Sequence, residues 1–285
     1  EGDGLPSFIC DVYDRWLVVQ LMSAGLEACR EHIVAALCEV MRPAGILARN
    51  DVALRKKEGL SLESQLLHGT VPGSIAVEED GIRYEASPWE GQKTGAYLDQ
   101  RENRALVGSI ARGRGLDCFS YHGSFALHMA RRCDHVTALD SSAPALARAR
   151  DNFARNGLTN VETVETDAFD FLKAHERRGA RYGTIVLDPP AFAKTKTSLA
   201  AATRGYKEIN LRAMRLLEPA GLLFTASCSF HLTKPLFLEM LAAAAADSGR
   251  RMVMREFRGQ GLDHPEVLTI PETGYLKGAL LEALD

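Results

Sequence analysis

From residue 99 onward the sequence alternates between helix-length and strand-length patterns, and this rhythm constrains the fold more than any other feature. Helical periodicity spans 99–111, 125–131, 143–156, 168–177, a stretch around 206–217, and 235–246. Short strand-like runs separate them at 115–119, 135–140, 161–166, 182–188 and 221–227, and two late strands follow. Strands separated by helices of this length predict a mostly parallel sheet with helices on both faces, an α/β fold of Rossmann-like type. The start of the chain reads differently. Strands at 8–13 and 16–20, a helix over 26–41 stopped by Pro43, and short strands at 45–50, 75–77 and 82–85 make a small α+β unit. The expected organisation is a small α+β domain at 1–90 and a larger α/β domain at 91–285, joined by a connector at 88–97.

In open sheets of this kind ligands bind beyond the carboxyl ends of the strands, where the strand order reverses. Four successive strands carry an aspartate at that end: Asp117, Asp140, Asp167 and Asp188. Any one alone would read as a helix N-cap, a position aspartate favours. Together they read as an edge that binds a nucleoside. Asp140 is placed to accept both hydroxyls of a ribose, and Asp167 to accept from an adenine amino group. The loop DCFSYHGSF (117–125) joins the first of these strands to a helix, and its Gly123 lets the backbone approach a ligand. The loop lacks GxGxxG, so a dinucleotide pyrophosphate is poorly served and a nicotinamide oxidoreductase is disfavoured.

Asp188 opens the segment DPPAF. Pro189 and Pro190 fix φ and remove two amide donors, so the chain leaves the sheet on a rigid path. Asp188 and the ring of Phe192 are thereby presented over the sheet edge. The ring can stack on a planar base while the carboxylate bonds its polar edge. The alternative is a rigid loop with a packed Phe. The next strand ends at Ser227-Cys228-Ser229, which puts Cys228 on the same edge. A thiolate there can attack an electrophilic carbon. The other cysteines, Cys10, Cys29, Cys38, Cys118 and Cys133, read as packing residues. His231 reads as a helix cap. Lys194, Lys196, Arg204 and Lys207 form a basic cluster after the Pro-Pro turn, a candidate for phosphate contact.

Composition sets limits. With 34 basic and 37 acidic residues the net charge is −3, which counts against a polycationic coat on nucleic acid but permits a local basic groove. The six cysteines form no CxxC pair or Cys/His cluster, so reduced, cytoplasmic thiols and no metal site are expected. No apolar run reaches the ~18 residues of a membrane span. The first residues, EGDGLPSF, lack the basic and apolar regions expected of a signal peptide. The chain starts without Met and enters a strand pattern almost at once, as a fragment lacking an upstream domain would.

These segments resemble a known family. It comprises the bacterial class I S-adenosylmethionine-dependent methyltransferases that modify carbon 5 of cytosine in large-subunit (23S) ribosomal RNA, the type normally preceded by a PUA domain. The resemblance is carried by DGLPSFICDVY (3–13), KTGAYLDQREN (93–103), DCFSYHGSFALHMA (117–130), ALDSSAPALARARDNFARNG (138–157), DPPAFAKTK (188–196), YKEINLRAMRLLEPAGLLFTASCSFH (206–231) and DHPEVLTIPETGYLKG (263–278). The sequence given starts after the place such a domain would occupy, so a piece lacking the PUA domain is expected. The resemblance implies S-adenosylmethionine as cofactor and Cys228 as nucleophile, with Asp188 beside it. The candidate cofactor residues are then Gln100, Arg101, Asp117, Tyr121, Gly123, Phe125, Asp140, Asp167 and Asp188, with Gln100 and Arg101 near the methionine end. Large-subunit ribosomal RNA is the implied partner. Pro189, Pro190, Phe192, Lys194, Lys196 and Tyr206 are candidates to touch it, and the small domain is a candidate RNA-binding module. The chain departs from the family in two places. It has Pro190-Ala191 where relatives can carry a Pro-Cys pair, which leaves product release open. It also reads YHGS where YTGG is commoner, which keeps Gly123 and loses the second glycine. Three alternatives stay open: methylation of a nitrogen, as on guanine, with Cys228 inert; a nicotinamide oxidoreductase; and an RNA-binding scaffold without catalysis. A homodimer is a candidate assembly, although the sequence marks no clean interface for it.

Overall fold

The computed structural model of the chain describes residues 2–193 and 196–285, Lys196 by its backbone alone. It divides into two compact units, Glu1–Asp99 and Gln100–Asp285. In the first, β1 (Phe8–Tyr13) and β2 (Trp16–Leu21) form a hairpin, followed by α1 (Ala24–Ala28) and α2 (Arg30–Met41). Arg42 then turns left-handed at φ 48°, and Pro43 keeps the helix from continuing. β3 (Gly45–Arg49) lies parallel to β2, and β4 (Ser64–Gly69) completes a sheet in the order β1-β2-β3-β4. Leu17, Val19, Ile46 and Ala48 form its small core, with Val34 and Leu37 of α2 packed on it. β5 (Ile75–Glu79) and β6 (Ile82–Ala86) make a separate hairpin.

The second unit runs through α3 (Arg101–Ile110), β7 (Arg114–Cys118), α4 (Ser124–Met129), β8 (His135–Asp140), α5 (Ala143–Arg155), β9 (Val161–Glu165), α6 (Ala168–Arg177) and β10 (Tyr182–Leu187). It continues through α7 (Leu199–Leu216), β11 (Leu217–Ser227), α8 (Lys234–Ser248), β12 (Met252–Arg258) and β13 (Lys277–Ala283). The sheet has seven strands in the order β12-β13-β11-β10-β7-β8-β9. The five strands from β11 to β9 are parallel, while β13 and β12 are antiparallel additions. This is the Rossmann-like α/β sheet that the strand–helix rhythm requires.

Side chains alternate between the sheet's faces. Leu116, Cys118, Ile185, Leu187 and Leu223 face a core shared with Phe171 of α6, Tyr206 and Met214 of α7, and Phe237 of α8. Phe224 faces the other way and packs on Phe125 of α4 at 5.5 Å between ring centroids. Helices therefore cover both faces. Ser142, Asp167 and Thr233 cap α5, α6 and α8 with their side chains. α7 starts earlier than its apolar period suggested, because Leu199-Ala-Ala-Ala is good helix sequence. Among the described residues, no helix is long and apolar enough to cross a membrane.

The topology locates the site. From β7 the chain steps outward to β8 and β9, then returns to place β10 on the other side of β7 and β11 beyond it. The order reverses between β7 and β10, so a ligand crevice is expected at their carboxyl ends.

Candidate active site

Read across the sheet, the carboxyl edge carries Cys228 after β11, Asp188 after β10, Asp117 in β7, Asp140 at the end of β8 and Asp167 beyond β9. The aspartates do different work. Asp117 is 1% exposed, and its Oδ2 accepts from Ser120 Oγ at 2.6 Å and from the Ala126 amide at 2.9 Å. Burial pushes its carboxyl up to about 7, and the charges of Asp188 and Asp140 push the same way. Asp117 thus ties β7 to the loop and to the first turn of α4. Asp140 accepts from the Tyr121 amide through Oδ2 and from the Ser142 amide through Oδ1, both at 2.9 Å. It fixes the loop from the neighbouring strand. Asp167 is exposed and caps α6, its Oδ1 accepting from Phe169 at 2.8 Å and Asp170 at 3.2 Å.

The loop between β7 and α4 is strained. Phe119 has φ 65° and Tyr121 φ 51°, values rarely adopted by residues with a Cβ. Such strain persists where the surroundings enforce it, commonly at ligand sites. Gly123 has φ 84°, and a Cβ there would lie 2.6 Å from Cζ of Phe153 and 3.2 Å from Cβ of Ala149. The glycine is demanded by the packing of α5 against the loop, not only by approach to a ligand. The Tyr121 ring lies edge-on to His122 and beneath the Arg148 guanidinium.

On the other side of the switch point, Ser227 and Ser229 are buried while Cys228 between them is exposed. The extended backbone at the end of β11 turns alternate residues in and out, and the thiol faces out. Ser229 Oγ is bonded to Tyr206 Oη at 2.9 Å and accepts from the Ala193 amide at 3.1 Å. The Pro-Pro turn and the cysteine loop are thereby locked together. A buried cation lies beneath them. Lys277, at the start of β13, donates to the carbonyls of Ser229 at 2.8 Å and Tyr275 at 2.7 Å. Burial presses its ammonium down to about 8, the Cys228 thiolate opposes that, and Lys234 adds to it.

Asp188 is held by an oriented chain of amides. Gln100 Nε2 donates to Asp188 Oδ1 at 2.9 Å, Asn103 Nδ2 donates to Gln100 Oε1 at 2.6 Å, and Arg258 Nε donates to Asn103 Oδ1 at 2.7 Å. A guanidinium only donates, so Arg258 fixes which way both amides point. The last donor in the chain therefore always faces the carboxylate.

Several expected residues take other roles. Tyr206, expected at the substrate, is fully buried and clamps the two loops instead. Phe125, expected at the cofactor, is 3% exposed and belongs to the core against Phe224. Pro189 is buried and Pro190 exposed. Phe192 is half-buried in a cluster with Tyr206, Phe169 and Phe119, its ring centroid 4.6, 5.9 and 6.3 Å from theirs. Arg101 is paired with Asp263 at 2.7 Å, and the Gln100 amide serves Asp188. Lys207 is paired with Asp247 at 2.6 Å, and Arg204 is exposed. Lys194 and the side chain of Lys196 lie outside the described residues. Cys29 is exposed, not packed, because it occupies the break between α1 and α2. The N-cap of α8 is Thr233, not His231. Sequence reasoning gave no role to Lys277, Asn103 or Arg258. A signal for Lys277 was present, since it is the lone cation at the head of a strand that runs on through Gly-Ala-Leu-Leu.

These residues fit S-adenosylmethionine. An edge that gathers the acids Asp188 and Asp140 suits a sulfonium cation. Asp140 ends β8, the strand next to β7 at the switch point, where a ribose-binding acid is expected.

Comparison with known proteins agrees. A family described as S-adenosylmethionine-dependent methyltransferase matches residues 48–267. Ribosomal RNA large subunit methyltransferase I of Shewanella amazonensis is 44% identical over 283 residues, which is 98% of this chain and 72% of that protein. The protein of the same name from Aeromonas salmonicida is 41% identical over 288 residues, 99% of this chain and 73% of that one. In fold, the chain is similar to a candidate methyltransferase solved in complex with SAH, with a TM-score of 0.85 at 24% identity over 99% of this chain and 73% of the other. The chain belongs to the S-adenosylmethionine-dependent methyltransferase family and is an enzyme of that kind.

Proposed function

We propose that this methyltransferase modifies carbon 5 of a cytosine in large-subunit ribosomal RNA, through a covalent adduct at Cys228. The observation that carries the proposal is the exposed thiol of Cys228 on the strand beside Asp188, at the carboxyl edge where sheets of this order bind ligands. The names of the Shewanella and Aeromonas relatives support the RNA substrate. An enzyme of this kind would work in the cytoplasm.

Carbon 5 of cytosine is too weak a nucleophile to be methylated unaided. Attack by the Cys228 sulfur on carbon 6 forms an S–C bond and moves the ring's 5,6 electron pair toward carbon 5. Asp188, held by Gln100, hydrogen-bonds the base edge while charge develops on the ring. Bound S-adenosylmethionine supplies the methyl group as an electrophilic carbon, and Asp140 and Asp188 are the side chains assigned to hold it. Once carbon 5 carries the methyl, its proton is lost to a base, the double bond re-forms, and the pair on the S–C bond returns to sulfur. The target base must be unpaired or flipped out.

The test is to methylate ribosomal RNA from cells lacking this enzyme and analyse the nucleosides by mass spectrometry. The product should be 5-methylcytidine, absent with Cys228→Ala although that variant still binds S-adenosylmethionine. A methylated nitrogen as sole product, or full activity of Cys228→Ala, overturns the proposal.

A further inference from the structure

We propose that the buried ammonium of Lys277 is the counter-charge of the Cys228 thiolate and keeps the nucleophile ionised for attack. The inference rests on the reading of Cys228 as nucleophile and supplies what that reading lacks, a reason for the thiol to be ionised before the base arrives.

The placement is specific. Lys277 pairs across the ladder with Ser227, the residue before Cys228, and its Nζ bonds the carbonyl of Ser229, the residue after it. The lysine thus brackets the cysteine while being only 2% exposed. Its acceptors are two neutral carbonyls, and among the described residues no carboxylate pairs with it. A buried cation without a counter-ion is costly and is normally found paired. Cys228 is the group that can become anionic here, and its thiolate favours the lysine's charge. The coupling is reciprocal, so the ammonium favours the thiolate equally.

Among the described residues, three further groups beside this pair do other work. Tyr206, on α7, senses Cys228 but burial lifts its phenol, so it stays neutral, bonded to Ser229 Oγ. Lys234, at the start of α8, is taken by Glu266, whose two oxygens both lie 2.7 Å from its Nζ. Asp188 follows the adjacent strand, and a carboxylate there opposes a thiolate rather than favouring it. The balance of the step is simple. Ionisation releases the thiol proton to water, the sulfur bonds carbon 6 and is later expelled as thiolate, and Lys277 keeps its protons throughout. Lys277 acts through Cys228 and is a positioning residue.

The test is the pH dependence of Cys228 alkylation by iodoacetamide, followed peptide by peptide by mass spectrometry on the whole chain. Exposed Cys29 is the internal reference. In the wild type the Cys228 midpoint should fall below the ordinary thiol value of about 8.5. Lys277→Met should raise it by about one unit or more, slowing alkylation at pH 7 roughly tenfold while Cys29 is unmoved. Lys277→Arg, which keeps the charge, should restore most of the shift. A wild-type midpoint at or above that of Cys29 overturns the proposal even if Lys277→Met fails to fold. So does a folded Lys277→Met protein with an unmoved midpoint. If alkylation responds to Lys277 while Cys228→Ala still methylates, the charge pair stands and the covalent reaction falls instead.

Discussion

Replacing Gly123 by Ala separates packing from ligand approach as the reason for the glycine. Two costs follow from the structure. The residue sits at φ 84°, where an L side chain costs about 1–2 kcal/mol. The new methyl would also lie 2.6 Å from Cζ and 2.7 Å from Cε1 of Phe153. Carbon atoms settle at about 3.5–4.0 Å, so the ring would have to retreat by roughly 1 Å. Phe153 is 4% exposed on α5, and overfilling such a core costs about 1–3 kcal/mol. The expected loss is about 2–5 kcal/mol, read by urea unfolding. Phe153→Leu removes the offending ring atoms. In the double variant about 1–3 kcal/mol of the penalty should therefore return as coupling, while the backbone share remains. Titration calorimetry should show weaker S-adenosylmethionine binding, because Gly123 lies two residues from the Tyr121 amide that Asp140 fixes. If Gly123→Ala unfolds like the wild type yet loses cofactor affinity, the glycine serves the ligand alone and the packing reasoning is wrong.

Other consequences are equally direct. The Asp117 carboxyl is lifted from 3.8 to about 7, so the folded protein holds a proton that the unfolded chain releases. Stability from this group therefore falls as pH rises through that window, by at most ~4 kcal/mol over about three units, and is flat above it. Asp117→Asn should remove that slope from urea titrations between pH 4 and 7, and an unchanged slope would refute the assignment. Arg258→Met should lower kcat and weaken S-adenosylmethionine binding together, since it loosens Asp188 through two amides, whereas Arg258→Lys should recover part of both losses. Equal defects in both variants would count against the oriented chain. Tyr206→Phe should cost about 1–3 kcal/mol in unfolding and leave the KM for RNA unchanged. A raised KM with unchanged stability would return Tyr206 to the substrate.

The sheet was legible because its strands and helices differ in period and length, and because an aspartate recurs at or just past the end of four strands. β4 was not legible. Ser64–Gly69 is almost wholly exposed, so burial imposes no alternation, and backbone pairing with β3 alone makes it a strand. The edge aspartates were located, yet their division of labour was not, because a cap, a loop tie and a ligand acid look alike in sequence. Tyr206 and Phe125 were misplaced for a related reason. Both lie in motifs that touch the site, and only the third dimension shows that they hold it from behind. Lys277 is nearly 50 residues from Cys228, and strand pairing across the sheet brings them together.

The central claim is tested most directly with RNA carrying 5-fluorocytidine at cytosine positions. Fluorine replaces the proton that must leave carbon 5, so methyl transfer can proceed but the sulfur cannot be expelled. Wild-type enzyme with S-adenosylmethionine should give a denaturant-resistant protein–RNA adduct whose peptide mass places the RNA on Cys228 and includes the added methyl. Cys228→Ala should give none. Methylation of normal RNA without any trapped adduct on the fluorinated one would contradict the covalent account.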